Sequence, residues 1–292
     1  MYRLVPILAV AAFLLSACAA STSTYKTEID NWRSKHETEL RADDGWLTLA
    51  GLFWLKEGTN TIGRGEGYDI QLTENFKQDK FGEIDFHDGK AILKIQPHVD
   101  ASVDGKPLTT VELRSDQPGP ATKVTAGSQT FYLIKREDRF GIRLKDSNSA
   151  ERRNFDGEHW FPADQSYRVT GTFEPFGEVQ EVEIPNVLGG TFKMKSPGTV
   201  KFKLLGKDLT LQPVIEDEKT LFFIFKDATN NNETYGAGRF LYTDNPINGQ
   251  VVLDFNKAEN PPCAFTTFAT CPVPPPQNHL AAEIKAGELK TH

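Results

Sequence analysis

A mainly β chain, organised as one or two sandwich- or barrel-like domains, is what this 292-residue sequence predicts. Three observations carry that expectation. From residue 59 to about 214 the chain is a succession of short runs such as YDIQL, AILKI, FYLIK, GIRLKD and TVKFKL, split by turn residues, the pattern of sandwiches and barrels. Asp-Gly pairs within His87-Asp88-Gly89-Lys90 and Val103-Asp104-Gly105-Lys106 supply the positive φ that tight hairpins need. No sustained helical periodicity and no repeat of fixed period interrupts the region.

The elements follow in order. Arg3 precedes an apolar run over residues 4–15 that is too short to span a bilayer as a permanent helix and reads as a signal segment. It ends in Leu15-Ser16-Ala17-Cys18, which resembles a bacterial lipobox. Residues 1–17 are therefore expected to be a lipoprotein signal peptide and Cys18 the lipidation site, carrying diacylglycerol and palmitate. The alternative is an ordinary thiol behind a plain secretory signal. Ala19 rather than Asp follows the cysteine, and the resemblance to sorted lipoproteins then favours the periplasmic side of the outer membrane in a host with two membranes. Residues 18–24 read as a polar tether. Tyr25, Ile29, Trp32 and Leu40 share helical spacing, so an amphipathic helix is expected over about 25–41, stopped by Asp43-Asp44-Gly45. Trp46-Leu47-Thr48-Leu49-Ala50-Gly51-Leu52-Phe53-Trp54-Leu55 is apolar enough to be read as core packing, closing an N-terminal segment of 25–56. A first β domain over 57–147 and a second over 148–292 complete the chain, the boundary lying in the polar stretch near 148–165.

Composition narrows the function. A formal net charge of −7 opposes nucleic acid or anionic lipid as a general partner. Attachment to the membrane should come through the lipid. With Cys18 set aside, Cys263 and Cys271 remain as a pair, and in an oxidising compartment they are most simply a disulfide closing a Pro-rich C-terminal loop, a reduced pair being the alternative. Seven residues separate them, without ligand-type side chains, so no zinc knuckle is expected. GxSxG, HExxH and P-loop signatures are missing from the sequence, and no metal or cofactor is expected.

The first β block resembles, in architecture alone, a forkhead-associated sandwich through NTIGR, YDIQL, VDGKPL and GIRLKD. Arg64 falls where that fold places a phosphopeptide-binding arginine, but the Ser and His of the following loop are missing from residues 75–82, so phosphopeptide binding is not expected. A second resemblance spans nearly the whole mature chain. Thr234-Tyr235 with Gly238-Arg239, Asp254-Phe255-Asn256, Asn260-Pro261-Pro262-Cys263-Ala264-Phe265, Cys271-Pro272 and Asn278, together with the early DDGWLTLAGLFWLKEGTNTIG, are similar to the bacterial and archaeal family catalogued as domain of unknown function 1684. Two departures stand out: Glu259 where that family usually carries an aromatic, and His279 where it usually carries Arg.

The same last quarter concentrates chemically capable side chains in a run stiffened by six prolines between Pro261 and Pro276. Loops held by a rigid β scaffold are common homes for binding groups. Arg239 has the planar fork that suits a carboxylate or phosphate. Glu233 and Asp254 are candidates for an acid and base, with His279 as a third catalytic candidate, while Tyr235, Asn256 and Asn260 could orient a ligand. The bland alternative is a structural network in which Arg239 pairs with an acid and the asparagines cap turns. Three functions remain open: a lipid-tethered module binding a small anionic or sugar-like ligand, a hydrolase-like enzyme using the carboxylates, and an envelope structural or assembly protein.

Overall fold

The structure, a computed structural model, describes residues 8–291, with side chains from residue 23 onward. Among the described residues strands take 46% and helices 14%, so the mainly β expectation holds. Residues 1–7, and the side chain of Cys18 with its expected lipid, lie outside the described residues. Helix α1 runs Leu8–Leu40, through the stretch expected to be a tether. Nothing between these bounds is Gly or Pro, the residues that most strongly interrupt a helix. Among the described residues no helix is long and apolar enough to cross a membrane.

Two compact units divide the chain. The leading unit holds Glu39–Gly157 and Pro262–Cys271; the closing unit holds the chain up to Thr38, Glu158–Pro261 and Pro272–His292. The unit changes between Gly157 and Glu158, and ten residues of the Pro-rich loop belong to the leading unit.

The leading unit is built from β1 (Leu49–Trp54), β2 (Gly58–Arg64), β3 (Ile70–Leu72), β4 (Lys80–His87), β5 (Lys90–Ile95), β6 (Ser102–Val103), β7 (Lys106–Pro107), β8 (Thr110–Leu113), β9 (Val124–Ala126), β10 (Gln129–Arg136) and β11 (Arg139–Asp146). One sheet has the order β1-β11-β10-β9-β6-β7 and the other β3-β2-β4-β5-β8. Alternation decides which face is core. In β10, Phe131 and Leu133 are buried while Thr130 and Tyr132, which alternate with them, are half-buried on the opposite face. The buried set, including Ile62, Phe81, Ile84, Leu93, Phe131, Ile142 and Leu144, forms one hydrophobic cluster. Both predicted hairpins form, with positive φ at Asp88-Gly89 and Asp104-Gly105. The apolar segment around residue 50 is only partly core: Leu47 and Leu49 are buried, whereas Trp46 is 38% exposed with the Lys145 ammonium 5.6 Å from its ring.

The closing unit contains β12 (Arg168–Pro185), β13 (Thr191–Leu204), β14 (Lys207–Leu211), β15 (Thr220–Phe225), β16 (Arg239–Asp244) and β17 (Gln250–Asp254). A four-stranded sheet runs β14-β13-β12-β17, and β15 pairs with β16. Val200, Phe202, Leu211, Phe223, Phe225, Leu253, Phe255 and Ile284 share its core.

The expected disulfide is corrected by the structure: Cys263 and Cys271 are both reduced thiols. The Cys263 backbone N–H donates to Cys271 Sγ at 3.2 Å, and a hydrogen bond with the Cys263 thiol, together with burial, raises the Cys271 pKa and keeps it protonated. The loop is fastened without a covalent bridge. Thr266 Oγ1 donates to the Leu49 carbonyl at 3.3 Å, and Arg143 and Arg136 both donate to Thr270 Oγ1, at 3.1 and 3.2 Å.

Candidate functional site

The sequence places its site at the end of the closing unit, and the structure resolves that region into separate buried networks. Arg239 opens β16 directly after Gly238, whose φ of +107° and close approach to Pro274 and the Phe225 carbonyl leave no room for a Cβ. The Arg239 side chain is fully buried. Its Nη2 donates to Asp227 Oδ2 at 2.7 Å and to the Ile284 carbonyl at 3.0 Å, while Nη1 donates to the Ala286 carbonyl. Asp227, also fully buried at its side chain, accepts from the Thr229 hydroxyl and N–H and from the Ile284 N–H. Burial lowers the arginine pKa, and Asp227 pulls it back. A guanidinium so enclosed ties the start of β16 to the segment after β15 and to the C-terminal segment, and presents no open fork to a ligand.

A second network gathers around α1. Asp254 Oδ1 accepts from the Tyr25 hydroxyl at 2.8 Å and from the Asn256 N–H at 3.2 Å. Asn256 is fully engaged: Nδ2 donates to the Tyr25 hydroxyl and to the Asp164 carbonyl, and Oδ1 accepts the Asp164 N–H. Burial and then the bond to Asp254 raise the tyrosine pKa, holding the phenol neutral. Arg33 donates to the Asn256 carbonyl at 3.3 Å and lies 4.8 Å over the Trp160 ring.

One turn further along α1, His36 is held between two carboxylates, Nδ1 at 2.7 Å from Glu158 and Nε2 at 3.0 Å from Glu259. Trp32 stacks on the ring at 5.3 Å, and Trp160 meets it edge-on at 6.2 Å. Burial alone would favour the neutral imidazole, but the bonds to Glu158 and Glu259 outweigh it and raise the pKa to about 11. Glu288 is wholly buried and accepts the Asn260 N–H at 2.7 Å; burial, reinforced by Glu158, pushes its pKa up to about 8, so it is mostly a neutral acid at pH 7. Asn260 donates in turn to the Leu289 carbonyl.

The remaining candidates do not converge on this network. Glu233 is half-exposed and lies 3.4 Å from Lys285, so the proposed acid and base, Glu233 and Asp254, take different partners. Tyr235 is half-buried and accepts an Asn230 side-chain hydrogen bond at its carbonyl. His279 Nε2 lies 3.2 Å from the Pro274 carbonyl. What sequence reasoning missed is the contribution of α1: Tyr25 and Trp32 are visible as an apolar stripe, but the polar work of Tyr25, Arg33 and His36 is not. One signal was available. Glu259, the departure from the family's usual aromatic, is the residue that clasps His36.

The leading unit carries a cavity of about 160 Å³ on the face of the six-stranded sheet away from the core. Thr125, Thr130 and Lys145 form a row across β9, β10 and β11, and Tyr132 stands on the next row of the same face, with Lys123 at the rim. Thr125 and Thr130 hydroxyls are 3.2 Å apart. Among the described residues no group of three or more His, Cys, Asp and Glu side chains could hold a metal ion.

Comparison with known proteins adds kinship and no activity. A family model described as Protein of unknown function (DUF1684) matches residues 153–289, narrower than the near-complete likeness read from sequence. A solution structure of an uncharacterized protein of Haloarcula marismortui is 30% identical, with 48% of this chain and 80% of that chain covered and a TM-score of 0.41. An FHA domain structure, from a study of phosphothreonine-dependent interactions, covers 32% of this chain and 92% of its own at 18% identity; its TM-score of 0.23 carries no argument. No curated protein matches.

Proposed function

Because the chain belongs, over residues 153–289, to the family described as Protein of unknown function (DUF1684), and because its C-terminal polar residues are spent on one another, we propose that it is a lipid-anchored envelope protein with a structural or assembly role. In this reading the first seventeen residues are removed, Cys18 carries the lipid, and α1 leads from the anchor to the closing unit on the extracytoplasmic side, at the outer membrane in a host with two membranes. The observation that carries it is the docking of α1: Tyr25, Arg33 and His36 complete buried networks with Asp254, Asn256, Glu158 and Glu259. Such a clasp transmits the position of an anchor to a folded unit. A small anionic or sugar-like ligand at the C-terminal loop, and hydrolysis by Glu233 and Asp254, lose their support from the enclosure of Arg239 and the separate partners of the two acids. Supporting the assembly role, the β12–β13 hairpin exposes Val179, Val187 and Leu188, apolar surface of the kind partners cover.

The test is made in the host. Wild type should take palmitate label and sediment with membranes, and Cys18→Ser should do neither. In mild-detergent extracts the wild-type chain should migrate above monomer size, and Val179→Asp with Leu188→Asp should return it to monomer. A wild-type chain that remains unlabelled removes the anchor, and a labelled chain that migrates as a monomer removes the assembly role.

A further inference from the structure

The cavity of the leading unit belongs to none of these networks, and its chemistry differs from theirs. Its floor is a β surface whose outward side chains bear hydroxyls: Thr125 and Thr130 side by side, then Tyr132 one row on. Lys123 and Lys145 also line it. Among the described residues the Lys123 ammonium and the Tyr132 hydroxyl have no hydrogen-bond partner, so both are available to a ligand. Lys145 donates to the Asp44 carbonyl, a neutral acceptor. Two acids stand nearby. Asp43 is taken up by Arg152 at 2.6 Å, while Asp44 offsets part of the positive field at Lys145. Against them, buried Arg143, the cross-strand partner of Tyr132, adds a third cation on the same face, its charge met by a hydroxyl, Thr270, and by the Trp46 ring at 5.7 Å. Burial lowers the Lys145 pKa, and Lys123 and Arg143 lower it further, the mark of cations gathered without enough anion. Trp46, 38% exposed and beside Lys145, offers an aromatic face of the kind that packs against an amphipathic ring.

We propose that this cavity binds a small anion that also carries hydroxyls, a sugar acid or a sugar phosphate, with its charged group between Lys123 and Lys145 and its hydroxyls on Thr125, Thr130 and Tyr132. The cations attract and fix the charge, and the hydroxyl row, able to donate and accept, matches a polyol edge. At about 160 Å³ the cavity lies below the roughly 300 Å³ at which drug-sized pockets begin, so a single ring is the fitting size.

The test uses the full-length chain in detergent, titrated calorimetrically at low salt with glucuronate, glucose 6-phosphate, inorganic phosphate and glucose. At least one of the two charged sugars should bind, at least about tenfold tighter than glucose, and the stronger of the two assigns the charged group. Lys123→Gln and Lys145→Gln should each weaken that binding about tenfold, in line with the loss of one charge-assisted contact. Tyr132→Phe should weaken it by a smaller factor while leaving the melting temperature unchanged. Inorganic phosphate binding as tightly as glucose 6-phosphate would overturn the hydroxyl half of the proposal. Failure of both charged sugars to bind, or equal binding by a folded double lysine variant, overturns the whole. These outcomes are independent of Cys18 and of the assembly test.

Discussion

Substituting Asp227 by Asn tests whether the Arg239 network is structural. The change keeps an acceptor for the Thr229 hydroxyl and N–H while removing the charge and the oxygen that faces Arg239, so it breaks the ion pair with the rest of the network in place. Arg239 would remain at zero exposure with two carbonyl acceptors and no counter-charge. Breaking one side of a buried pair costs about 3–5 kcal/mol, against total stabilities of about 5–15 kcal/mol, so the closing unit should lose a large share of its stability. Combining Asp227→Asn with Arg239→Met removes the stranded charge as well. The double variant should recover at least about 2 kcal/mol relative to the single, because replacing a whole buried pair with apolar groups is often near neutral. Urea unfolding is the suitable assay, since an ionic denaturant would screen the interaction, and amide exchange of β15 and β16 reports the affected unit directly. A cost below about 1 kcal/mol for Asp227→Asn, with no recovery in the double variant, would refute this account of Arg239.

Other expectations follow from the same networks. Glu288 has its pKa raised from 4.5 to about 8 on folding, so the folded state holds a proton that the unfolded state has released; stability should fall as pH rises from about 4.5 through 8, and Glu288→Gln should flatten the melting temperature over that window. His36, raised from 6.5 to about 11, contributes stability fully present below pH 6.5 and lost as pH climbs toward 11, adding to the same alkaline decline. A double-mutant cycle of His36→Gln and Glu259→Gln should give a coupling of about 1 kcal/mol, and a value near zero would detach the clasp from that glutamate. Thiol titration of the denatured chain without reductant should find Cys263 and Cys271 both reactive, and Cys271→Ser should cost well under the roughly 2–5 kcal/mol expected for a lost disulfide.

The fold was legible where local rules decide it. Alternation and Asp-Gly turns specify β4, β5, β6 and β7, because a half-buried strand and a two-residue hairpin leave direct marks in sequence. The helix was legible from residue 25 onward through Tyr25, Ile29 and Trp32. The disulfide was not, because pairing depends on side-chain geometry that spacing does not contain. The candidate site was read as a density of polar residues, and density does not separate an open constellation from a closed one. Arg239 and Asn256 carry the right groups for ligand capture, yet each spends them on carbonyls and an acid far off in sequence. The groove escaped notice for a related reason: Thr125, Thr130, Tyr132 and Lys145 look like ordinary outward positions on separate strands, and only their register assembles them.

The ten residues of Pro262–Cys271 have a consequence for how the protein is made. They are synthesised near the end of the chain but lie within the leading unit, where Thr266 reaches the Leu49 carbonyl across 217 positions of sequence. A chain emerging N-terminus first from synthesis therefore cannot finish its leading unit until nearly everything has been made. The leading β strands must wait with one side incomplete while the closing unit is delivered, and they close on a late arrival. Truncation ahead of residue 262 should leave an incomplete leading unit, readily cut by proteases, in place of an independent first domain.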